Sequence, residues 1–418
     1  MVNSALQTGE PTTGLPASAQ MRIALICDLV EEKWPSMDLV AEMLAEQLGA
    51  GHFPDLSVER LCPAMVRRFT RLGGRRTLWN ADRLLNRFVD YPRWLRPRAG
   101  SFDLFHLVDH SYAQLAHELP PERTVVTCHD LDAFRCLLDP EAEKRPRWFR
   151  AMMTRVFQGL QKSAHLITVS QVVRDQLLEY GIAPPERISV IPNGVHPSCS
   201  PAPDCAADAE AARLLPADAA GAIWLLNVGS TIPRKRMDVL LHLLAAVREE
   251  LPQVRLMRVG GAWTPAQAQL ARELRVAEAV TVLPFLTRPV LAAIYRRADL
   301  LVHTADAEGF GLPIIEAQAC GCPVAATALP VLRDVGGAAA AYVPHSDLAA
   351  WTRTVVQLVR EKKVAGPEWQ TRRNQGLGNA SRFSWAAAAA RTVDTYQSVL
   401  ERARHSCPSA GPGFVAEV

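Results

Sequence analysis

The chain has 418 residues, of which 49% are hydrophobic and 21% are charged, and its formal net charge is +3. This length exceeds what one compact core usually reaches and favours two domains. A charge so close to zero, without a recognised nucleic-acid-binding module, argues against a nucleic-acid partner. No stretch approaches the ~20 apolar residues that a membrane-spanning helix needs.

The two ends are predicted to be disordered, as a leader at 1–20 and a tail at 406–418. The leader is polar and lacks the basic start and apolar centre of a signal peptide. The nine cysteines are scattered and odd in number, which favours free thiols in a reduced, cytoplasmic setting. Cys320 and Cys322 flank one glycine, but no His or Cys cluster completes a zinc site, so no metal is expected.

From residue 21 onward the pattern predicts alternating strands and helices. Residues 22–27 form a short apolar run that is typical of a buried strand, and residues 37–48 have the apolar spacing of a helix. Further strands are predicted at 103–108, 123–128 and 165–169. Apolar strands that alternate with helices indicate a parallel sheet covered on both faces. We therefore predict a first doubly wound domain at 21–200.

A proline-rich break divides the chain. Turn chemistry at 192–194 and several prolines after it predict an interdomain linker at 201–220. The alternation then restarts, with strands predicted at 223–228, 254–259 and 299–303 and a helix at 237–250. Two such halves, with a second domain at 221–384, predict a cleft in which ligands bind beyond the carboxyl ends of the strands.

Two acids in a glycine-bearing segment form the most informative motif. Gly309 and Gly311, between Glu308 and Glu316, allow the backbone to come close to a ligand. Pro313 fits the first turn of a helix, and Glu316 is predicted to lie in that turn, where exposed amides favour anions. Either acid alone would be explained by helix stabilisation. Together they suit paired sugar hydroxyls, because ionised carboxylates accept hydrogen bonds.

A basic pair follows the predicted strand at 223–228. That strand leads to Gly229 and Ser230, and Arg234 and Lys235 come before the next helix. Arginine offers two parallel donors to phosphate, and lysine adds a compact charge. Fixed cations at this place would stabilise the charge that develops on a leaving nucleoside diphosphate. A basic pair by itself is more often a solvated surface, so the prediction depends on the whole motif.

These motifs resemble those of the retaining family 4 (group 1) glycosyltransferases of the GT-B fold. The E-x7-E signature corresponds to residues 308–316 and the G-x3-P-R-K element to residues 229–235. The resemblance implies an α/β, GT-B fold in which two Rossmann-like doubly wound domains face each other across a cleft. The domain at 21–200 would bind the acceptor and the domain at 221–384 the nucleotide-sugar donor. A C-terminal helix at 385–405 would return to the first domain.

The resemblance also implies the site residues. Glu308 would contact the donor sugar and Glu316 the ribose, while His129, after the strand at 123–128, would lie near the reacting carbon. The implied catalytic residues are His129, Glu308, Arg234 and Lys235. The implied donor-binding residues are Gly229, Ser230, Arg234, Lys235, Glu308, Gly309, Phe310, Gly311, Leu312 and Glu316. The acceptor-side candidates are Asp28, Trp34 and Asp130.

The implied reaction transfers a sugar from a nucleotide-sugar donor to a carbohydrate or lipid-linked acceptor hydroxyl. The anomeric configuration is retained, and no cofactor or metal is needed. Bacterial polysaccharide or glycolipid synthesis would be the setting. One departure is the loop at 28–37, which has no glycine where many relatives have a Gly-Gly pair. Glu31, Glu32, Lys33 and Trp34 are predicted to shape a distinct acceptor pocket.

Two other functions stay open at this point. A noncatalytic nucleotide-sugar sensor of the same fold would be expected to lose one of Arg234, Lys235, Glu308 and Glu316, and all four are present. The other is a GT-B epimerase or phosphorylase, of which the phosphorylase would need a pyridoxal-phosphate lysine. We identify no such lysine.

The segment 65–98 is rich in arginine. Its ten arginines are opposed by only two acids, Asp82 and Asp90, and aromatic residues lie between them in the sequence. Such a surface predicts peripheral contact with the inner face of the cytoplasmic membrane, since cations meet anionic lipid and aromatics sit at the interface. The alternative is a solvated helical face with buried aromatics.

Overall fold

A computed structural model describes residues 20–73, 76–216 and 221–406. The leader predicted at 1–20 and the tail predicted at 406–418 lie outside these ranges, except for Gln20 and Ser406. Arg75, Cys407 and the last four residues of the predicted linker also lie outside them. Among the described helices, none combines the length and apolarity needed to cross a lipid bilayer.

The first half is built on a parallel sheet with the strand order β2-β1-β3-β4-β5-β6. Its strands are β1 (Met21–Ile26), β2 (Leu56–Leu61), β3 (Leu104–Leu107), β4 (Thr124–Cys128), β5 (His165–Thr168) and β6 (Ile188–Val190). Its helices are α1 (Pro35–Gly49), α2 (Arg76–Leu85), α3 (Tyr91–Leu95), α4 (Arg135–Leu138), α5 (Arg147–Lys162) and α6 (Gln171–Glu179).

The second half is built on another parallel sheet, with the order β12-β11-β10-β7-β8-β9. Its strands are β7 (Ile223–Val228), β8 (Val254–Val259), β9 (Val280–Leu283), β10 (Leu300–His303), β11 (Val324–Thr327) and β12 (Ala341–Val343). The helices of this part of the chain are α7 (Cys205–Arg213), α8 (Met237–Glu250), α9 (Pro265–Glu273), α10 (Arg288–Arg297), α11 (Leu312–Ala319), α12 (Pro330–Gly336), α13 (Leu348–Val364), α14 (Pro367–Ala380) and α15 (Trp385–Ser406).

Both sheets are covered on both faces, which explains why their central strands are apolar throughout rather than alternating. In β1, Ile23 and Leu25 enter one apolar cluster, while Ala24 and Ile26 enter another on the opposite face. The predicted α/β class with two doubly wound sheets is confirmed.

Each sheet has one place where the strand order reverses, and we call it the switch point. In the first sheet β1 lies between β2 and β3, and in the second β7 lies between β8 and β10. Loops from neighbouring strands leave in opposite directions there and open a crevice at the carboxyl ends. The first switch point lies at the ends of β1 and β3, and the second at the ends of β7 and β10.

The last helix packs against the first half of the chain. The hydroxyl oxygen of Tyr396 on α15 lies 2.6 Å from Nδ1 of His106 on β3. Burial lowers the pKa of His106 to about 3, so the ring is neutral in this contact. A Cβ added to Gly194 would lie 2.3 Å from the backbone nitrogen of Trp385, which leaves room only for glycine. The predicted domain boundaries stay predictions.

The predicted linker contains a helix. Of residues 201–220, α7 covers Cys205–Arg213. Asp208 of α7 forms an ion pair with Arg296 of α10, with oxygen and nitrogen 2.7 Å apart. The helix α7 therefore packs on the second half rather than extending between the halves.

Candidate functional site

A charged cluster lies at the second switch point. Arg234 and Lys235 belong to a short 3-10 turn after β7, and Glu308 belongs to the loop after β10. The ammonium group of Lys235 donates to Oε1 of Glu308. Nη1 of Arg234 is 3.6 Å from Oε2 of Glu308, and Nε2 of His303 is 2.8 Å from Oε1. Residues distant in sequence thus meet because β7 and β10 are neighbours.

Backbone contacts hold the two loops together. Thr304 donates its hydroxyl to the carbonyl of Lys235 over 3.0 Å, and the amide of Asp306 donates to the carbonyl of Arg234 over 2.9 Å. Nη1 of Arg234 donates to the carbonyl of Ala307 over 3.1 Å. The cations are therefore fixed in place before any ligand arrives, which is what electrostatic stabilisation of a leaving group requires.

The charges in this cluster reinforce one another. Burial alone would raise the pKa of Glu308, but Lys235, His303 and Arg234 outweigh it and hold that pKa well below its usual range. Burial would lower the pKa of Arg234, yet Asp130 and Glu308 raise it. Glu308 is therefore a carboxylate and Arg234 a cation over the whole physiological range of pH.

The first half reaches this cluster through the loop after β4. Oδ2 of Asp130 is 3.2 Å from Nη2 of Arg234, and Oδ2 of Asp132 is 3.5 Å from its Nε. Ser170 donates its hydroxyl to the carbonyl of Gly309 over 2.7 Å. A Cβ added to Gly309 would lie 1.7 Å from the carbonyl oxygen of His129, so glycine is required by this close approach.

His129 is buried against the end of β3. Its Nε2 lies 2.8 Å from the carbonyl oxygen of Val108, which assigns the proton to Nε2 and leaves Nδ1 as an acceptor. Burial lowers the pKa of His129, although Asp109 acts in the opposite direction. The imidazole is therefore neutral near pH 7 and offers a lone pair rather than a charge.

Glu316 differs from its prediction. The helix α11 begins at Leu312, after Gly311 in the left-handed region with φ of 99°, so Glu316 lies in the second turn and not in the first. Its Oε2 accepts a hydrogen bond from the hydroxyl of Tyr295 over 2.8 Å. Burial raises its pKa, although Arg288 and the bond from Tyr295 lower it. None of its described partners belongs to the cluster of Arg234, Lys235 and Glu308.

The remaining donor-site candidates lie around the second switch point. Gly229, Ser230 and Lys235 line one small crevice there, together with Asn227, Val228, Met237, His303, Thr304 and Ala305. Phe310 is buried and packs edge to face on Phe383, with ring centroids 5.7 Å apart. Phe310 therefore offers its backbone rather than its ring to a ligand, while Leu312 begins α11.

The acceptor-side candidates occupy three different places in the first half. Asp28 is buried at the end of β1 and belongs to the first switch point. Trp34 is exposed and donates its indole N–H to Glu32 over 2.9 Å. Asp130 contacts Arg234 of the other half. No described hydrogen bond or ion pair joins any two of these three residues directly.

Several site residues were not predicted from the sequence. They are His303, which contacts Glu308, Asp132, which contacts Arg234, and Asp109, which lies beside the first switch point. His303 ends β10 and Asp109 lies just after β3, and those positions were a usable signal, whereas Asp132 lies farther along the loop after β4. Across the described ranges, no group of three or more His, Cys, Asp and Glu side chains is arranged to hold a metal ion.

Family models match both halves. The model described as Glycosyltransferase Family 4 matches residues 39–198, and the model described as Glycosyl transferases group 1 matches residues 222–361. Together they cover most of the chain. The chain belongs to the family 4 (group 1) glycosyltransferases. The family predicted from the E-x7-E and G-x3-P-R-K motifs is thereby confirmed.

Curated relatives of this glycosyltransferase include enzymes named D-inositol 3-phosphate glycosyltransferase. The one from Thermobispora bispora is 36% identical over 56% of this chain and 55% of its own length. The one from Mycobacterium sp. strain KMS is 33% identical over 68% of this chain and 63% of its own length. The match thus spans less than two thirds of these relatives.

Solved structures show the same fold at low sequence identity. Sucrose-phosphate synthase from Thermosynechococcus elongatus superposes with a TM-score of 0.70 at 20% identity, covering 92% of this chain and all of that chain. HepE from Anabaena, in complex with UDP and glucose, superposes with a TM-score of 0.67 at 18% identity, covering 91% of this chain and all of that chain. The predicted GT-B fold is confirmed.

Proposed function

We propose that this glycosyltransferase moves a hexosyl group from a nucleotide-sugar donor to an acceptor hydroxyl with retention of configuration. The observation that carries the proposal is the cluster of Arg234, Lys235 and Glu308 at the second switch point. It combines two fixed cations with one carboxylate in the crevice where sheets of this kind bind ligands. Donor complexes of fold relatives, such as the complex of HepE with UDP and glucose, support this reading.

In the proposed complex the donor diphosphate lies on Arg234 and Lys235. As the glycosidic bond breaks, negative charge grows on the leaving diphosphate, and the two cations stabilise it without rearrangement. This removes the need for a metal at the diphosphate. The amides near Gly311 and Leu312, at the start of α11, add partial positive charge toward the donor.

The two acids, Glu308 and Glu316, bind different parts of the donor. Glu308 is ionised and accepts hydrogen bonds from the hydroxyls of the donor sugar. Glu316, fixed by Tyr295, accepts hydrogen bonds from the ribose. His129 presents a neutral Nδ1 to the reacting end of the donor, and its position in the first half directs the acceptor hydroxyl to the same face. The acceptor proton leaves with the diphosphate oxygen, so no covalent nucleophile is required.

Turnover separates the transferase function from the noncatalytic sensor that was considered from the sequence. The first experiment is a thermal-shift screen with UDP-, GDP-, ADP- and dTDP-sugars. We expect one donor to stabilise the wild type and the Glu273→Ala control, whose side chain is exposed on α9, but not Glu316→Ala. Release of the nucleoside diphosphate, followed by mass spectrometry, then shows transfer. No shift with any donor would count against the function.

We further propose that the loop of residues 66–72 meets an anionic membrane. Leu72 is 81% exposed, and Val66 and Phe69 are exposed beside Arg67 and Arg71. The exposed apolar side chains and the cations suit the boundary between headgroups and acyl chains. The acceptor would then be lipid-linked, and the enzyme would work at the inner face of the cytoplasmic membrane.

The rest of the arginine-rich segment packs against the protein and holds this loop in place, and we do not expect it to contact the membrane. Trp79, Phe88 and Trp94 are partly buried and pack against the core of the first half. The buried Asp82 accepts hydrogen bonds from the amides of Arg68, Phe69 and Thr70, which fixes the loop conformation. The segment 65–98 therefore combines the two alternatives considered from the sequence: an exposed basic loop and buried aromatic side chains.

Flotation with vesicles tests the membrane proposal. We expect the protein to float with vesicles containing 30% phosphatidylserine and not with pure phosphatidylcholine. Leu72→Ser should reduce flotation several-fold, whereas Val364→Ser, which changes an equally exposed apolar residue at the end of α13, should not. Equal flotation of the two variants would contradict the proposal.

A further inference from the structure

Three side chains contact the carboxylate of Glu308. The ammonium group of Lys235 and Nε2 of His303 both donate to its Oε1, the imidazole over 2.8 Å. Nη1 of Arg234 lies 3.6 Å from its Oε2. The proposed function assigns Lys235 and Arg234 to the donor diphosphate and Glu308 to the donor sugar. The same two cations therefore have two alternative anionic partners, Glu308 and the diphosphate.

A diphosphate competes with Glu308 for these cations. It carries more negative charge than one carboxylate, and the attraction between charges is strong in a crevice of low dielectric. The side chains of Lys235 and Arg234 keep 14% and 17% of their surface accessible, and Lys235 lines the crevice at the second switch point. A bound diphosphate would thus draw both cations away from Glu308.

His303 is held more firmly than the two cations. It is the last residue of β10, and its side chain is only 2% exposed. It pairs with Ala326 of β11 in the sheet, and its carbonyl oxygen accepts a hydrogen bond from the hydroxyl of Thr327 over 3.3 Å. Because the sheet fixes this residue, its imidazole stays beside Glu308 when the cations of the neighbouring loop change partner.

The contact with Glu308 also fixes the tautomer of His303. An ionised carboxylate only accepts hydrogen bonds, so the proton of this contact lies on Nε2. Within the ranges that the structure describes, the buried Nδ1 has no hydrogen-bond partner. The side-chain hydrogen bonding of His303 is thus directed at Oε1 of Glu308. One N–H donor leaves most of the lone pairs of the carboxylate for sugar hydroxyls.

We propose that donor binding exchanges the partners of Glu308, and that His303 is the positioning residue that holds the carboxylate during this exchange. The diphosphate takes over Lys235 and Arg234, and hydroxyls of the donor sugar take their places on Glu308. His303 acts on the sugar only through Glu308. This inference rests on the proposed transferase function and adds to it the step by which the donor enters the site.

The exchange is tested with nucleoside diphosphates that carry no sugar. UDP, GDP, ADP and dTDP are titrated calorimetrically into the wild type, and the one that binds most tightly is titrated into Glu308→Gln. We expect it to bind about threefold more tightly to the variant, because the competing carboxylate charge is gone. Glu273→Gln, which changes an exposed acid on α9, is the matched control and should bind as the wild type does.

The role of His303 is tested by comparing each nucleotide with its sugar. The pairs are UDP with UDP-glucose, GDP with GDP-mannose, ADP with ADP-glucose and dTDP with dTDP-glucose. In His303→Leu we expect the nucleotide sugar to bind about tenfold more weakly, because the donor that orients Glu308 is lost, while the free diphosphate keeps its affinity. His303→Gln, whose amide can replace the Nε2–H donor, should restore most of the loss. His242→Leu, on the exposed face of α8, is the control and should change neither affinity.

Three outcomes would overturn the inference. One is weaker binding of the diphosphate to Glu308→Gln than to the wild type. Another is an equal change for diphosphate and nucleotide sugar in His303→Leu, which a merely structural role would give. The third is a folded His303→Gln variant that binds the nucleotide sugar as weakly as His303→Leu. Failure of the wild type to bind any of the eight probes would instead count against the proposed donor site, so the two failures are distinguishable.

Discussion

Replacing Lys235 by Met tests the electrostatics of the donor cluster most directly. The change removes the ammonium group that donates to Glu308 but keeps the length of the side chain. Glu308 stays buried, with His303 at 2.8 Å and Arg234 at 3.6 Å as its remaining partners. Removing one member of a buried ion pair costs about 3–5 kcal/mol when nothing compensates. Since two partners remain, we expect the free energy of unfolding to fall by about 1–3 kcal/mol at pH 7.

The pH dependence of this loss has a definite sign. The pKa of Glu308 is depressed in the folded protein, so its ionised form adds stability above the unfolded pKa of about 4.3. That contribution is lost as the pH falls through the folded pKa. In Lys235→Met the folded pKa is higher. The stability gap between wild type and variant is therefore widest at neutral pH and narrows once the pH falls below the folded pKa of Glu308 in the variant.

Urea unfolding followed by tryptophan fluorescence at several pH values between 7 and 3.5 measures this gap. Lys363→Met, an exposed residue in the last turn of α13, is the matched control and should change stability by less than about 0.5 kcal/mol. Equal losses in the two variants, or a gap that stays constant with pH, would refute the reasoning. The Lys235→Met variant should also lose about 100-fold in kcat, because one diphosphate cation is gone.

Two further changes probe the contacts around the cluster. Gly309→Ala places a Cβ 1.7 Å from the carbonyl oxygen of His129, and we expect at least a 100-fold loss in transfer rate. Gly378→Ala, which has no atom within 4 Å of the added Cβ, should retain full activity, and similar rates would contradict the role of this close approach. Tyr295→Phe removes the hydrogen bond to Glu316 and should cost about 1–3 kcal/mol. Because the folded pKa of Glu316 is raised, its ionised form destabilises the fold, so unfolding curves should show the loss growing as the pH rises through that pKa.

The sequence predicts the long central strands well, and the edge strands and the shortest strands poorly. The bounds predicted for β7, β8 and α8 agree with the structure, because long apolar runs there fill both faces of the sheet. The strand β2 lies at an edge and is mostly exposed, so it lacks an apolar run. The strands β11 and β12 have four and three residues and contain small alanines, which give little periodic signal.

The candidate site is predictable where each of its residues belongs to a recognisable motif. Arg234, Lys235 and Glu308 converge as predicted, since each belongs to a motif at the end of a strand. The error for Glu316 was one of helix register, because the helix begins only at Leu312. The pairing of Asp28 with Asp109 depends on β1 and β3 being neighbours in the sheet. The local periodicity of a sequence does not indicate which strands are neighbours.

The position of α15 has a consequence for how the chain folds during its synthesis. Trp385, Ala389 and Tyr396 belong to the same apolar cluster as Ile23 and Leu25 of β1. Domains usually fold during synthesis in order from the N-terminus. Here α1 covers part of that face of the first sheet, and the rest stays uncovered until α15 has been synthesised. Chaperones should therefore stay bound to nascent chains until α15 emerges, and the first half expressed by itself should aggregate through the part of the face that α15 covers.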